Sequence, residues 1–90
     1  MRFEWDEAKR QTVLAKRGID MVAMASLLDG RPAYNYLSYR DLEKRMVTVA
    51  ERNGKLFALV WMEREDKIRI ITARRARNGE ERAYRQLHDG

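Results

Sequence analysis

Arg69, Arg74, Arg75 and Arg77 crowd into one stretch, IRIITARRAR at positions 68–77, and Arg45 and Arg64 precede it. Arginine forks onto a phosphate through two parallel hydrogen bonds, whereas lysine acts as a point charge. Arginines fixed on a rigid surface suit chemistry in which the substrate brings its own nucleophile. RNA does this: its 2′-hydroxyl attacks the adjacent phosphate, and a protein need only orient the groups and stabilise the negative charge gathering on the phosphate oxygens. One well-placed donor contributes roughly 3–4 kcal/mol, about a hundred- to thousand-fold in rate. Glu43 is the candidate general base, with a tyrosine or a pKa-shifted lysine as alternatives.

Other chemistries lack their parts. The chain has no cysteine and one histidine, His88 near its end, so neither a thiolate nucleophile nor a metal site is expected. The five glycines are scattered among caps and turns, so no loop cradles a phosphate and no cofactor is implied. Nineteen basic residues face fourteen acidic ones, a net charge of +5, and most of the basic set is arginine. An acidic partner, nucleic acid or protein, is favoured over mere surface charge. No stretch approaches the roughly 20 apolar residues of a membrane span, so a soluble, cytoplasmic protein is expected. Ninety residues suit one domain, 1–90, built on one core.

The elements that must hold these side chains follow from periodicity. Residues 2–5, with Phe3 and Trp5, suggest a short edge strand or lead-in. Asp6 can cap a helix through EAKRQTVLAKR that closes on Gly18. Asp20 can cap a second helix, with Met21, Met24, Ala25 and Leu28 as its apolar stripe. A strand with Tyr34 and Tyr36 comes next, then a loop around 38–42; the tyrosines read as ordinary sheet residues, although exposed ones could stack bases. Strands at 44–51, 56–63 and 68–74 are joined by the hairpin dipeptide Asn53-Gly54 and a tight turn at Glu65-Asp66. Asn78, with Glu81 three residues on and Glu80 beside it, starts a last helix. The whole is an α+β domain: two N-terminal helices, an antiparallel meander sheet of about four strands, and a C-terminal helix.

Pairing Arg52 with Lys55, and Arg64 with Lys67, sorts the strand residues onto two faces. Met46, Thr48, Ala50, Phe57, Leu59, Trp61, Ile68, Ile70 and Thr72 form a nearly clean apolar face, assigned to the helices. The other face carries Val47, Val49, Ala58, Val60, Ile71 and Ala73 in its middle, and Glu43, Arg45, Met62, Arg64, Lys67 and Arg69 at one end. Arg45 and Arg69 should flank Met62, and Glu43 should oppose Arg64, so three arginines from three strands converge. Arginines that close repel unless an anion lies among them. That anion is either a phosphate, or Glu43 and Glu63 pairing them in a plain charged sheet end.

FEWDEAKR near the start, Lys16-Arg17-Gly18 closing the first helix, Glu43 with Arg45, IRIITAR at 68–74, and Glu80 with Tyr84 together resemble the BrnT family, over about residues 2–84. The resemblance implies a RelE-like fold and the toxin of a type II toxin–antitoxin system: a metal-independent endoribonuclease that inhibits translation and arrests growth. It also implies a BrnA-like ribbon-helix-helix antitoxin, operator DNA bound through that antitoxin to repress the operon, and room for a toxin dimer within the complex. The apolar middle of the open face would be the antitoxin's docking ground. By motif, Arg64 and Arg74 fall on the family's basic catalytic positions, with Arg45 a further candidate, and Glu43 stays the candidate base. Arg69, Lys67, Arg17 and Lys16 are the expected phosphate-binding residues for RNA.

Val13 and Arg17 stand where the family has asparagine and histidine, and Asp41-Leu42-Glu43 replaces its YGE. The chain is then either a weakened ribonuclease or one that uses Arg17 as a phosphate clamp. Motif and register part at Arg74, which parity puts on the helix-covered face unless the strand ends early. Two other readings stay open: a non-catalytic basic module for nucleic acid or an acidic protein, and an inactive toxin relic kept for regulation.

Overall fold

The computed structural model describes residues 2–89. Strand β1 (Arg2–Trp5) leads into helix α1 (Glu7–Arg17), a 3₁₀ helix (Ala23–Leu28) and four strands: β2 (Ala33–Arg40), β3 (Glu43–Arg52), β4 (Lys55–Arg64) and β5 (Lys67–Arg75). Helix α2 (Asn78–His88) ends the described chain. The strands form one sheet of order β1-β5-β4-β3-β2. Its last four strands are the expected antiparallel meander, and β1 closes the far edge by running parallel to β5, with Arg2 opposite Lys67 and Trp5 opposite Ile70. The sheet is therefore mixed and has five strands. A four-residue strand carries too little alternation to disclose so distant a partner.

The α1 ends obey their caps: Asp6 accepts the Lys9 N–H, and Gly18, at φ 67°, donates its own N–H to the Leu14 carbonyl. Asp20 accepts from the N–H groups of Val22 and Ala23 in the turn that follows, but it is not the expected cap: Val22 holds that position, with no side-chain cap bond. The element Val22 opens is a single 3₁₀ helix rather than the expected second α-helix. The residues buried there explain why: Met21, Met24 and Leu27 recur every three positions, the period of a 3₁₀ helix.

The expected loop at 38–42 is a tight hairpin instead, because β2 runs on to Arg40 and turns on Asp41 and Leu42. Both have positive φ, 51° and 69°, as do Asn53 and Gly54 in the next hairpin. Two left-handed residues define a type I′ turn, which matches strand twist but suits Asn-Gly far better than Asp-Leu. At the third hairpin Glu65 has φ 59° and Asp66 does not share it, the pattern of a type II′ turn.

Each face of the sheet has its own core. Val13, Ile19, Met21, Met24 and Leu27 pack on Ala50, Leu59, Ile68, Ile70 and Ala73 beneath α1 and the 3₁₀ helix. On the other face Val47, Val49, Ala58 and Val60 lie under Tyr34, Tyr36, Ile71, Ala76 and Tyr84 of α2. That face is thus not open in its middle, where Val47 and Val49 are buried beneath α2, and the docking ground expected for an antitoxin is already occupied. α2 also starts one residue differently from expectation: Arg77 is the cap residue, and it is Glu80, not Glu81, that reaches back to accept the Arg77 N–H at 2.8 Å.

Two irregularities matter for function. Arg64–Lys67 through Trp61–Ile70 keep the expected register, but Val60 then pairs with Thr72. Ile71 is an extra residue, a β-bulge, and side chains beyond it exchange faces. Ala73 accordingly joins the helix-side core, and Arg74 crosses to the α2 side. Second, the β3–β4 ladder ends at Met46–Trp61, while β2–β3 continues to Arg40–Glu43 and β4–β5 to Arg64–Lys67. The sheet therefore parts into two hairpin tips at this end.

Candidate active site

The parted tips leave a cavity of about 530 Å³. Glu43 and Arg45 line it from β3, Met62 and Arg64 from β4, Arg69, Ile70 and Ile71 from β5, and Asp6 and Lys9 from the start of α1. The expected rows across β3 and β4 are not formed, since the ladder has already ended, yet the side chains of both tips reach the same space. The bulge at Ile71 bends β5 beside them. The α1 N-terminus adds the positive end of its dipole.

The three arginines of this cavity are not alike. Arg45 donates from Nε and a terminal nitrogen to the Glu43 carboxylate, at 2.9 and 2.8 Å. Arg69 donates to Glu4 on β1 at 2.8 Å. Both are partly screened from solvent and already neutralised. Arg64 is exposed and, among the described residues, has neither an ion pair nor a side-chain hydrogen bond. Lys9 is likewise without an ion pair among them. An incoming anion would meet uncompensated charge at Arg64 and Lys9, with Arg45 and Arg69 held as a rigid surround.

Arg74 does not join them. It donates to both oxygens of Glu80, at 2.6 and 2.9 Å, and the Tyr36 hydroxyl donates to the same carboxylate. Glu80 is 7% exposed. Burial pushes its carboxyl up, but the Arg74 guanidinium, the Arg77 amide and the Tyr36 hydroxyl outweigh it and hold the group at about 2. Burial raises the Tyr36 phenol, and the neighbouring Glu80 charge raises it further. Every charge in this network is satisfied, and Arg74 does not line the cavity. Strict alternation misplaced Arg74 because a one-residue bulge leaves no mark in the hydrophobic pattern.

The other expected phosphate binders are dispersed. Lys67 pairs with Arg64 across the hairpin turn but does not line the cavity. Lys16 is exposed on the last turn of α1. Arg17 donates to the Thr72 hydroxyl at 3.1 Å and the Ala73 carbonyl at 2.9 Å, clasping the end of α1 to β5. Sequence reasoning missed Asp6, Lys9 and Glu4, which reach the site only because β1 pairs with β5. The available signal was Glu4 itself, a charge between Phe3 and Trp5. Among the described residues no three His, Asp or Glu side chains gather as metal ligands, and no helix is long and apolar enough to cross a membrane.

Such a cleft can seat a phosphodiester and stabilise charge on it while the substrate supplies the nucleophile. A family model described as the ribonuclease toxin, BrnT, of type II toxin–antitoxin systems matches residues 5–80. A comparison with curated proteins gives no match.

Proposed function

The chain belongs to the BrnT family of ribonuclease toxins, whose type II systems imply a protein antitoxin, and from this we propose that it cuts RNA in the cavity between the hairpin tips. The observation that carries the reading is Arg64, the one arginine of that cavity without a counter-charge among the described residues. A phosphodiester seated there places its non-bridging oxygens on Arg64, with Arg45 and Arg69 fixing its position. The 2′-hydroxyl attacks the phosphorus and the 5′-oxygen leaves, giving a 2′,3′-cyclic phosphate and a 5′-hydroxyl without a metal ion. Glu43, anchored by Arg45, takes the 2′-hydroxyl proton. The Lys9 ammonium, which lines the same cavity, gives a proton to the departing 5′-oxygen and regains one from solvent. Arg64 stabilises the charge that develops on phosphorus-bound oxygen, by roughly 3–4 kcal/mol.

Lys67 beside Arg64, and Lys16 and Arg17 on α1, extend the basic surface for the rest of the RNA. Arg74 acts as a positioning residue, tying β5 to α2 through Glu80. On this reading the fold is RelE-like and the protein works in the cytoplasm by inhibiting translation. Its antitoxin is a ribbon-helix-helix protein that represses the shared operon with it, and covering Arg64 is enough to neutralise the toxin.

Purified protein incubated with RNA in the presence of a metal chelator tests this. The expected result is cleavage leaving 2′,3′-cyclic phosphate ends, reduced about a hundred- to thousand-fold by Arg64→Ala with unchanged circular dichroism and melting. Intact RNA with the wild-type protein would overturn it, and RNA that is bound but uncut would mark a binding module instead.

A further inference from the structure

At the opposite end of α1 lies a second cavity, of about 390 Å³, to which Arg17, Arg52, Lys55 and Arg75 all contribute. None of the four has a carboxylate within ion-pairing distance among the described residues. The one acid in the lining, Asp20, is held by Arg10 at 2.8 and 3.0 Å. Two of the arginines are anchored by main-chain carbonyls instead. Arg17 donates one terminal nitrogen to Ala73, and Arg75 donates Nε to Leu56 at 3.4 Å with its guanidinium over the Phe57 ring. Each is held in place and keeps other N–H groups for an anion. Arg52 and Lys55 come from either side of the Asn53-Gly54 turn, a stiff hairpin end.

Four uncompensated cations around one cavity raise its potential and repel one another until an anion enters. Three of the four are arginines, whose planar forks match phosphate better than a single point charge would. The Phe57 ring of the lining lies beneath Arg75 and helps to hold that guanidinium in place. The two cavities sit at the two ends of an 11-residue helix, about 16 Å of rise. Between them the β5 edge past Ile70 has no strand beside it, because the β1 pairing stops there.

We propose that this cavity is a second phosphate site, taking a phosphodiester of the same RNA a few nucleotides from the bond cut at the first. It rests on the ribonuclease reading, and it assigns to Arg52, Lys55 and Arg75 a role in gripping the strand away from the chemistry.

The test is the salt dependence of binding for RNA made uncleavable by 2′-O-methylation, in one length that reaches only the first cavity and one that spans both. Wild-type protein should show the steeper slope with the longer RNA. Arg52→Ala with Lys55→Ala should lower that slope by about one, since one phosphate is no longer neutralised, and leave the short RNA unaffected. Exchanging the two residues for Lys and Arg keeps the charge and should keep the slope, which separates charge from hairpin packing. An unchanged slope for the longer RNA, with RNA cleavage intact, overturns the second site and leaves the first standing. Weakened binding of an acidic protein partner with RNA binding unaltered overturns it in favour of a protein-docking surface. Absence of any RNA binding by the wild type overturns both sites together.

Discussion

Arg64 and Arg74 come from neighbouring strands of one sheet, and their surroundings are opposites. Arg64 stands at a hairpin tip where the β3–β4 ladder has ended, exposed in a cavity and without a carboxylate among the described residues. Arg74 lies under α2, bidentate on a buried glutamate that also holds a tyrosine and a backbone amide. A guanidinium whose hydrogen bonds are all made inside the protein stabilises a fold; one whose charge is unanswered can stabilise a substrate. Residue type does not distinguish the two roles, and strand position barely does. Counter-charge does.

Removing the counter-charge is the harshest way to break this contrast. Glu80→Ala strands Arg74 at 16% exposure and should cost about 3–5 kcal/mol of unfolding free energy. Denaturant titration would measure it, while the remaining folded molecules keep their rate of RNA cleavage. Arg64→Ala should do the reverse: a rate loss equivalent to roughly 3–4 kcal/mol with the denaturation midpoint unmoved. A drop in stability for Arg64→Ala as large as that for Glu80→Ala would erase the distinction.

Acid offers a gentler probe of the same network. The Glu80 carboxyl is held at about 2, below its ordinary 4.5, so the folded state binds its proton more weakly than the unfolded chain. Its contribution is complete above about pH 4.5 and is lost as pH falls toward about 2. The shift corresponds to something on the order of 3 kcal/mol. Denaturation midpoints measured across that window should fall less for Glu80→Gln than for the wild type. Asp20 and Asp29, each lowered to about 2 by Arg10 and Arg31, titrate in the same range, so only the difference between the two proteins reports on Glu80. The smallest expected effect lies at the neighbouring tip. Leu42 is 99% exposed at φ 69°, a conformation that glycine adopts without strain. Leu42→Gly should therefore stabilise the protein by about 1 kcal/mol, read as a rise of roughly 4–8 °C in melting temperature. Cleavage should be unaltered.

Most of the scaffold and part of the site were legible in the chain. Asp6 and Gly18 bound α1, Asn53-Gly54 placed the central hairpin, and alternation on three strands sent Arg45, Arg64 and Arg69 toward one end of one face. Those signals are local: a cap, a turn dipeptide and a period of two each act within a few residues. The remainder arose only on folding. The parallel pairing of β1 with β5 brought Asp6 and Lys9 to the cavity and Glu4 to Arg69, and α2 covered the face expected to be open. The end of the β3–β4 ladder opened the cavity, and a single bulged residue carried Arg74 across the sheet to Glu80. Each depends on which distant residues meet. An arginine reads the same in the chain whether a carboxylate awaits it or not, so only the folded protein separates the arginine that holds the structure from the one left for a phosphate.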